Sequence, residues 1–188
     1  GRGLGTVGFQ TQQFSYRSVL DCVLENARRL AEFLNSVPGE AVHLVGHSLG
    51  GVITVKALQD QPIERIGRIV CLGAPLQGSC TVRAVARLPG GRWFIGKSMP
   101  AFRDSFLAPW TAPIDLGLIA GSSRVGCGQL LGGLASPPDG TISVEETRLE
   151  GATEHIVVRV SHLSMLWSRA VANKVVGFLE SGRFRDPV

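Results

Sequence analysis

The sequence predicts an α/β fold, a mostly parallel sheet with helices on both faces and a small cap-like insertion. Three observations carry that expectation. Short apolar runs of strand length alternate with longer segments of helical periodicity. The links between them are short, so strand–helix–strand units must pair in parallel through right-handed crossovers. Between residues 79 and 113 the alternation gives way to closely spaced aromatics. At 188 residues the chain is the size of one domain (1–188), with residues 80–113 a possible cap insertion.

The chain opens on Gly1 to Gly8, which contains Gly3-x-Gly5-x-x-Gly8, formally a dinucleotide-binding pattern. No strand precedes it and no helical pattern opens at Gly8, so the dinucleotide reading fails and no cofactor is expected. Phe9 to Phe14 reads as a short strand and Ser15 to Arg17 as the turn after it. From Ser18 to Asn35, Val19, Leu20, Val23, Leu24, Ala27, Leu30, Ala31 and Leu34 recur at three- and four-residue spacing, which predicts an amphipathic helix stopped by Pro38-Gly39. Ala41–Val45 is the next strand, and a helix from Leu49 to about Gln59 follows. Further strands are expected over Ile66–Leu72, Leu116–Ala120 and Ile156–Val160, with a short helix over Arg83–Leu88 and a closing helix from Met165 to Leu179, ended by Gly182.

Composition removes several classes of function. The content is 44% hydrophobic and 18% charged, suited to a packed globule. The net charge is +4, but the arginines are scattered without a basic run or an aromatic ladder, so no nucleic-acid partner is expected. No apolar stretch approaches the ~20 residues of an integral membrane segment. Cys22, Cys71, Cys80 and Cys127 lack metal-ligand spacing, and no metal site is expected. Cys71 reads as a core thiol, and the low cysteine density favours a reducing, cytoplasmic location. No signal peptide is visible, and the chain opens without Met, so its true N-terminus is expected to lie upstream.

Chemistry concentrates in Val42 to Ile53, where an apolar run ends in Gly46-His47-Ser48-Leu49-Gly50 and a helix-permissive segment follows. That context is a nucleophile elbow: a buried strand, a sharp turn carrying the serine, then a helix. Gly46 and Gly50 are expected to let strand and helix pass closely. A serine hydroxyl is a weak nucleophile and needs a histidine to take its proton and an acid to orient that histidine. Of four histidines, only His162 stands just past a strand's carboxyl end. His43 and His155 fall within or at the start of strands and read as structural, and the side chain of His47 is expected to point away from Ser48. For the acid, Asp139 lies in a Pro-Pro-Asp-Gly loop before the last strand, with Glu145 and Glu146 as rivals. Asp115 begins a strand at the end away from the elbow, and Asp104 falls in the cap-like region. Leu76, Trp93, Phe94, Phe102, Trp110 and Leu163 are candidate walls for an apolar substrate.

These residues, with Gly73-Ala74-Pro75-Leu76-Gln77-Gly78-Ser79 and Asp139-Gly140-Thr141-Ile142-Ser143-Val144, resemble the α/β-hydrolase superfamily, and within it the small bacterial lipases and esterases. The resemblance spans about Phe9 to Phe184. It implies Ser48 as nucleophile, Asp139 as acid, His162 as base and the Leu49 N–H as an oxyanion donor, acting on a small-molecule or lipid ester. One departure stands at the front, where the family's first apolar strand and His-Gly oxyanion loop are not read before Gly46: either the sequence is truncated, or Gly1 to Gly8 supplies a substitute, or activity is low. Loss of one oxyanion donor costs about 2.7–4 kcal/mol in the transition state. The implied function is a carboxylic-ester hydrolase. The alternative is a catalytically weak hydrolase-fold protein that binds a lipid or a partner.

Overall fold

The computed structural model describes residues 8–86, 89–90, 93, 96–98, 106–123 and 142–185. Elements follow in the order α1 (Val23–Ser36), β1 (Val42–His47), α2 (Leu49–Asp60), β2 (Ile66–Leu72), α3 (Cys80–Val85), β3 (Asp115–Gly121), β4 (Glu154–Val158) and α4 (Arg169–Ser181). The strands form a parallel sheet in the order β1-β2-β3-β4. Helices cover both faces, as the alternation of apolar runs requires.

Strand parity explains the two cores. In β2, Ile69 and Cys71 face α1 and α2, while Val70 and Leu72 face α4. Leu116 and Leu118 of β3 join the first core and Ile119 the second, so Ile69–Leu72 and Leu116–Ala120 of the central strands read as continuous apolar runs. Phe178 of α4 is fully buried on the second face and packs against Phe184, with ring centroids 4.6 Å apart and planes tilted by 33°.

Several boundaries differ from expectation. α1 begins at Val23, because Ser18 to Leu20 form a turn that leaves Val19 and Leu20 exposed, and Leu24 lies on the outer face of the helix. Phe9 to Phe14 is not a strand; its four consecutive polar residues are exposed, and only its end aromatics pack, Phe9 edge-on to His43 and Phe14 against Phe33. The last strand starts two residues early, at Glu154. The closing helix is broken: Ser164–Leu166 is a single 3-10 turn, and Ser168 restarts the helix by accepting a hydrogen bond from the Val171 N–H. The short helix begins at Cys80, where Glu146 Oε1 accepts from the Cys80 N–H at 2.5 Å.

Candidate active site

Ser48 sits between β1 and α2 with φ +53° and ψ −126°. Among the described residues it is the only non-glycine with positive φ. Such a conformation costs on the order of 1–3 kcal/mol and persists only when its surroundings fix it. Here the Ser48 N–H donates to the Leu72 carbonyl (2.9 Å), prolonging the sheet ladder, and its carbonyl accepts from the Gly51 N–H (3.0 Å). Leu49 is the first residue of α2, so its N–H is among those a helix leaves without an internal acceptor, at the positive end of the helix dipole.

The close approach that the motif glycines were expected to permit is made by Gly46 and Gly51. A Cβ on Gly46 would lie 2.7 Å from the Gly51 Cα, and one on Gly51 would lie 2.5 Å from the Ala74 Cβ. A Cβ on Gly50 would find the Tyr16 Oη at an ordinary 3.5 Å. The second motif glycine therefore has room, and the residue after it does not.

His162 follows β4, three strands across from β1, a lateral distance of about 14 Å at ordinary strand spacing. Its loop crosses back over the carboxyl ends of β3 and β2. Gly73, at φ +53° just past β2, makes the space: a Cβ there would stand 3.0 Å from His162 Nδ1 and 3.3 Å from the Met165 Cε. His162 is buried, and Met165 beneath it anchors in the second core. The side chain of His47 points toward this loop: its Nε2 lies 2.9 Å from the His162 carbonyl oxygen, and the two rings are 4.7 Å apart. A carbonyl can only accept, so His47 Nε2 carries the proton. The sequence reading missed this contact, although parity along β1 puts His47 on the same face as His43, toward the second core.

The other histidines are engaged away from the elbow. His43 Nδ1 accepts from the Arg68 N–H at 3.0 Å, and burial, then the Arg68 charge, lower its pKa. Thr147 gives its hydroxyl hydrogen to the Val144 carbonyl, so it accepts from His155 Nε2 at 2.9 Å. Burial foremost, then Arg148, lower the His155 pKa against an opposing effect of Glu145.

Asp139, Phe94, Phe102 and Asp104 lie outside the described residues. The rival acids are occupied elsewhere. Glu145 pairs with Arg148 on the surface at 2.9 Å, and Glu146 accepts from the backbone N–H groups of Cys80 and Ser143. Asp115 meets Arg68 Nε at 3.2 Å at the amino end of β3, away from Ser48. Of the candidate walls, Leu76 is buried just beyond the carboxyl end of β2, and Leu163 is exposed beside His162. Trp93 is 76% exposed. Trp110 belongs to the first core instead; it packs before the start of β3, where its indole N–H donates to the Ile114 carbonyl at 2.9 Å. Cys71 is the core thiol expected, pushed up to about 12 by burial.

The sequence profile of the alpha/beta hydrolase family matches residues 2–173. The chain belongs to that family. No curated protein matches its sequence. Among solved structures, it is similar to the mature lipase BlEst2 of Bacillus licheniformis, at 18% identity and a TM-score of 0.67 over 89% of this chain and 76% of that one. It is also similar to the metagenomic carboxyl esterase MGS0156, at 20% identity and a TM-score of 0.58 over 76% of this chain and 52% of the esterase. The type II thioesterase BorB from the borrelidin biosynthetic cluster aligns at 13% identity and a TM-score of 0.57, covering 87% of this chain and 73% of that one. At these identities the likeness is one of fold. The chain spans 39% of the propeptide form of BlEst2, as it spans about half of the carboxyl esterase. No helix among the described residues is long and apolar enough to cross a membrane.

Proposed function

We propose that this α/β hydrolase is a serine carboxylic-ester hydrolase with Ser48 as its nucleophile. The Ser48 oxygen attacks the acyl carbonyl while His162 takes its proton. The Leu49 N–H holds the developing oxyanion, and His162 then protonates the departing alcohol. Water, deprotonated by the same histidine, releases the acid from the acyl-enzyme. Asp139 orients His162, a role for which the surface pairing of Glu145 and the capping bonds of Glu146 leave it the better candidate. The chemistry needs no cofactor. Leu76 and Leu163 at the carboxyl end of the sheet, with Trp93, Phe94 and Phe102, favour esters with an apolar acyl chain. Thioesters are open to the same acyl-enzyme route.

The observation that carries this reading is the backbone of Ser48, held at φ +53° on a strand-to-helix turn. That strain has a use if the hydroxyl must stand clear of both elements to meet a substrate. A fluorophosphonate probe tests it, since only an activated serine is phosphonylated quickly. The expected result is stoichiometric labelling of Ser48, together with hydrolysis of p-nitrophenyl esters of graded length. An unlabelled protein that hydrolyses none of them would refute the reading and favour a hydrolase fold used for binding alone.

A further inference from the structure

We infer that His47 is a positioning residue for His162, its imidazole tying the base-bearing loop to the strand that carries the nucleophile. The inference rests on the ester-hydrolase reading and adds to it the device that holds base and nucleophile in register.

The need for such a device follows from the topology. Ser48 and His162 follow strands at opposite sides of the four described, so no shared ladder fixes their separation. The loop is well fastened to its own side. Ser122 and Ser123 after β3 donate to the Val158 and Val160 carbonyls at 3.0 Å each. Ser161 and Ser164 lock the turn internally, with the Ser161 N–H donating to Ser164 Oγ at 2.8 Å. Met165 plugs into the second core. These contacts refer the loop to β2, β3, β4 and α4, and none of them involves β1. The bond from His47 Nε2–H to the His162 carbonyl does, at 2.9 Å. It runs between the residue before Ser48 and the backbone of His162 itself, so an error in its length passes almost directly into the distance between the reacting groups. His47 ends β1, so strand pairing with Leu72 fixes where its side chain starts. Both the neutral Nε2–H tautomer and the imidazolium can donate this bond.

Three substitutions test the inference. In His47→Gln the amide nitrogen reaches the place of Nε2. In His47→Asn an uncharged amide of the same kind reaches only the place of Nδ1, and His47→Ala removes the donor. Misplacing a catalytic group by about 1 Å can cost ~100-fold. The Ala and Asn variants are therefore expected to lose roughly 10- to 100-fold in fluorophosphonate labelling rate and in kcat, with KM within about twofold of the parent. His47→Gln is expected to restore most of that loss. Should Ala fail to fold, the Gln–Asn pair carries the comparison. Labelling of Ala or Asn at the parent rate overturns the inference, and so does a Gln variant as slow as Asn. A parent protein that is not labelled at all overturns the ester-hydrolase reading and this inference with it, an outcome distinct from a labelled parent with indifferent variants.

Discussion

The elbow and the base loop make an instructive pair, because one is built by neighbours in sequence and the other by neighbours only in space. Ser48 owes its conformation to residues within three positions of it and to one carbonyl on the adjacent strand. His162 reaches the same end of the sheet by crossing two strands, over a glycine at position 73 and under the tether of His47. Damage to the first should therefore act all at once, and damage to the second should come in grades.

The largest effect is expected at Ser48 itself. Ser48→Ala keeps a Cβ at the strained position and so leaves the backbone problem unchanged, while removing the proposed nucleophile. In the serine-protease template such a loss approaches a millionfold in kcat. Steady-state hydrolysis of a short-chain ester, with a melting curve alongside, checks both halves. Turnover within a few-fold of the parent would remove Ser48 from the mechanism.

On the base side the next effect is expected from the acid. Asp139→Asn should cost on the order of 10,000-fold in kcat, because the imidazole is left in the wrong tautomer. Glu145→Gln should change little, its partner Arg148 being on the surface. Glu146→Gln should weaken stability before rate, since its carboxylate caps the N-terminus of α3. If Glu146→Gln proves the slower enzyme while Asp139→Asn works normally, the acid has been misassigned.

How much of this was legible in the sequence follows the same division. The elbow could be read because its parts are contiguous: an apolar run, a turn bearing serine, a helix. Ile66–Leu72 is legible to the residue, because its last four residues, Ile69 to Leu72, are buried on both faces and apolar. His162 could be placed by its position after a strand, but not its environment, which depends on Gly73 and His47 at distances of about 90 and 115 residues in sequence. Trp110 misled for the opposite reason. Its neighbours in sequence are aromatic and cap-like, yet its ring turns into the core before β3. The break at Ser168 was invisible to periodicity, since Met165, Val171 and Val175 keep their apolar character across it.

Two neighbouring glycines sharpen the account of the elbow. Gly51→Ala would place a Cβ 2.5 Å from the Ala74 Cβ and 3.3 Å from the Cys71 Cβ, all attached to packed backbone. Overpacking of that kind costs about 1–3 kcal/mol, and here it pushes on the turn that holds Ser48. Gly50→Ala meets only the Tyr16 Oη at 3.5 Å and removes a flexible residue from a helix, which stabilises by up to about 1 kcal/mol. Denaturant unfolding of the two variants is expected to rank Gly51→Ala well below the parent and Gly50→Ala at or above it. Equal losses would mean that the second motif glycine, not the one after it, sets the strand–helix approach.

The smallest effect separates the site from the rest of the sheet by pH. His43 and His155 both have pKa values lowered from 6.5, chiefly by burial. A lowered folded-state pKa means that the unfolded chain takes up protons first as pH falls. Stability is then at its full value above about pH 6.5 and declines as pH drops through the window between the unfolded and folded values. For His43 the geometry agrees, since Nδ1 accepts the Arg68 N–H and cannot be protonated without losing that bond. Calorimetric Tm values are expected to fall by a few degrees between pH 7.5 and pH 5, above the range in which most carboxylates titrate. In His43→Asn an uncharged amide oxygen can accept the same N–H at every pH, so part of that fall should vanish while ester hydrolysis at pH 7.5 stays close to the parent's. A Tm that is flat or rising toward pH 5 would show that these two imidazoles are not what acid attacks. A hydrolysis rate that collapses in His43→Asn would show that β1 couples His43 to Ser48, and that the structural and catalytic histidines are less separate than their positions along the strand suggest.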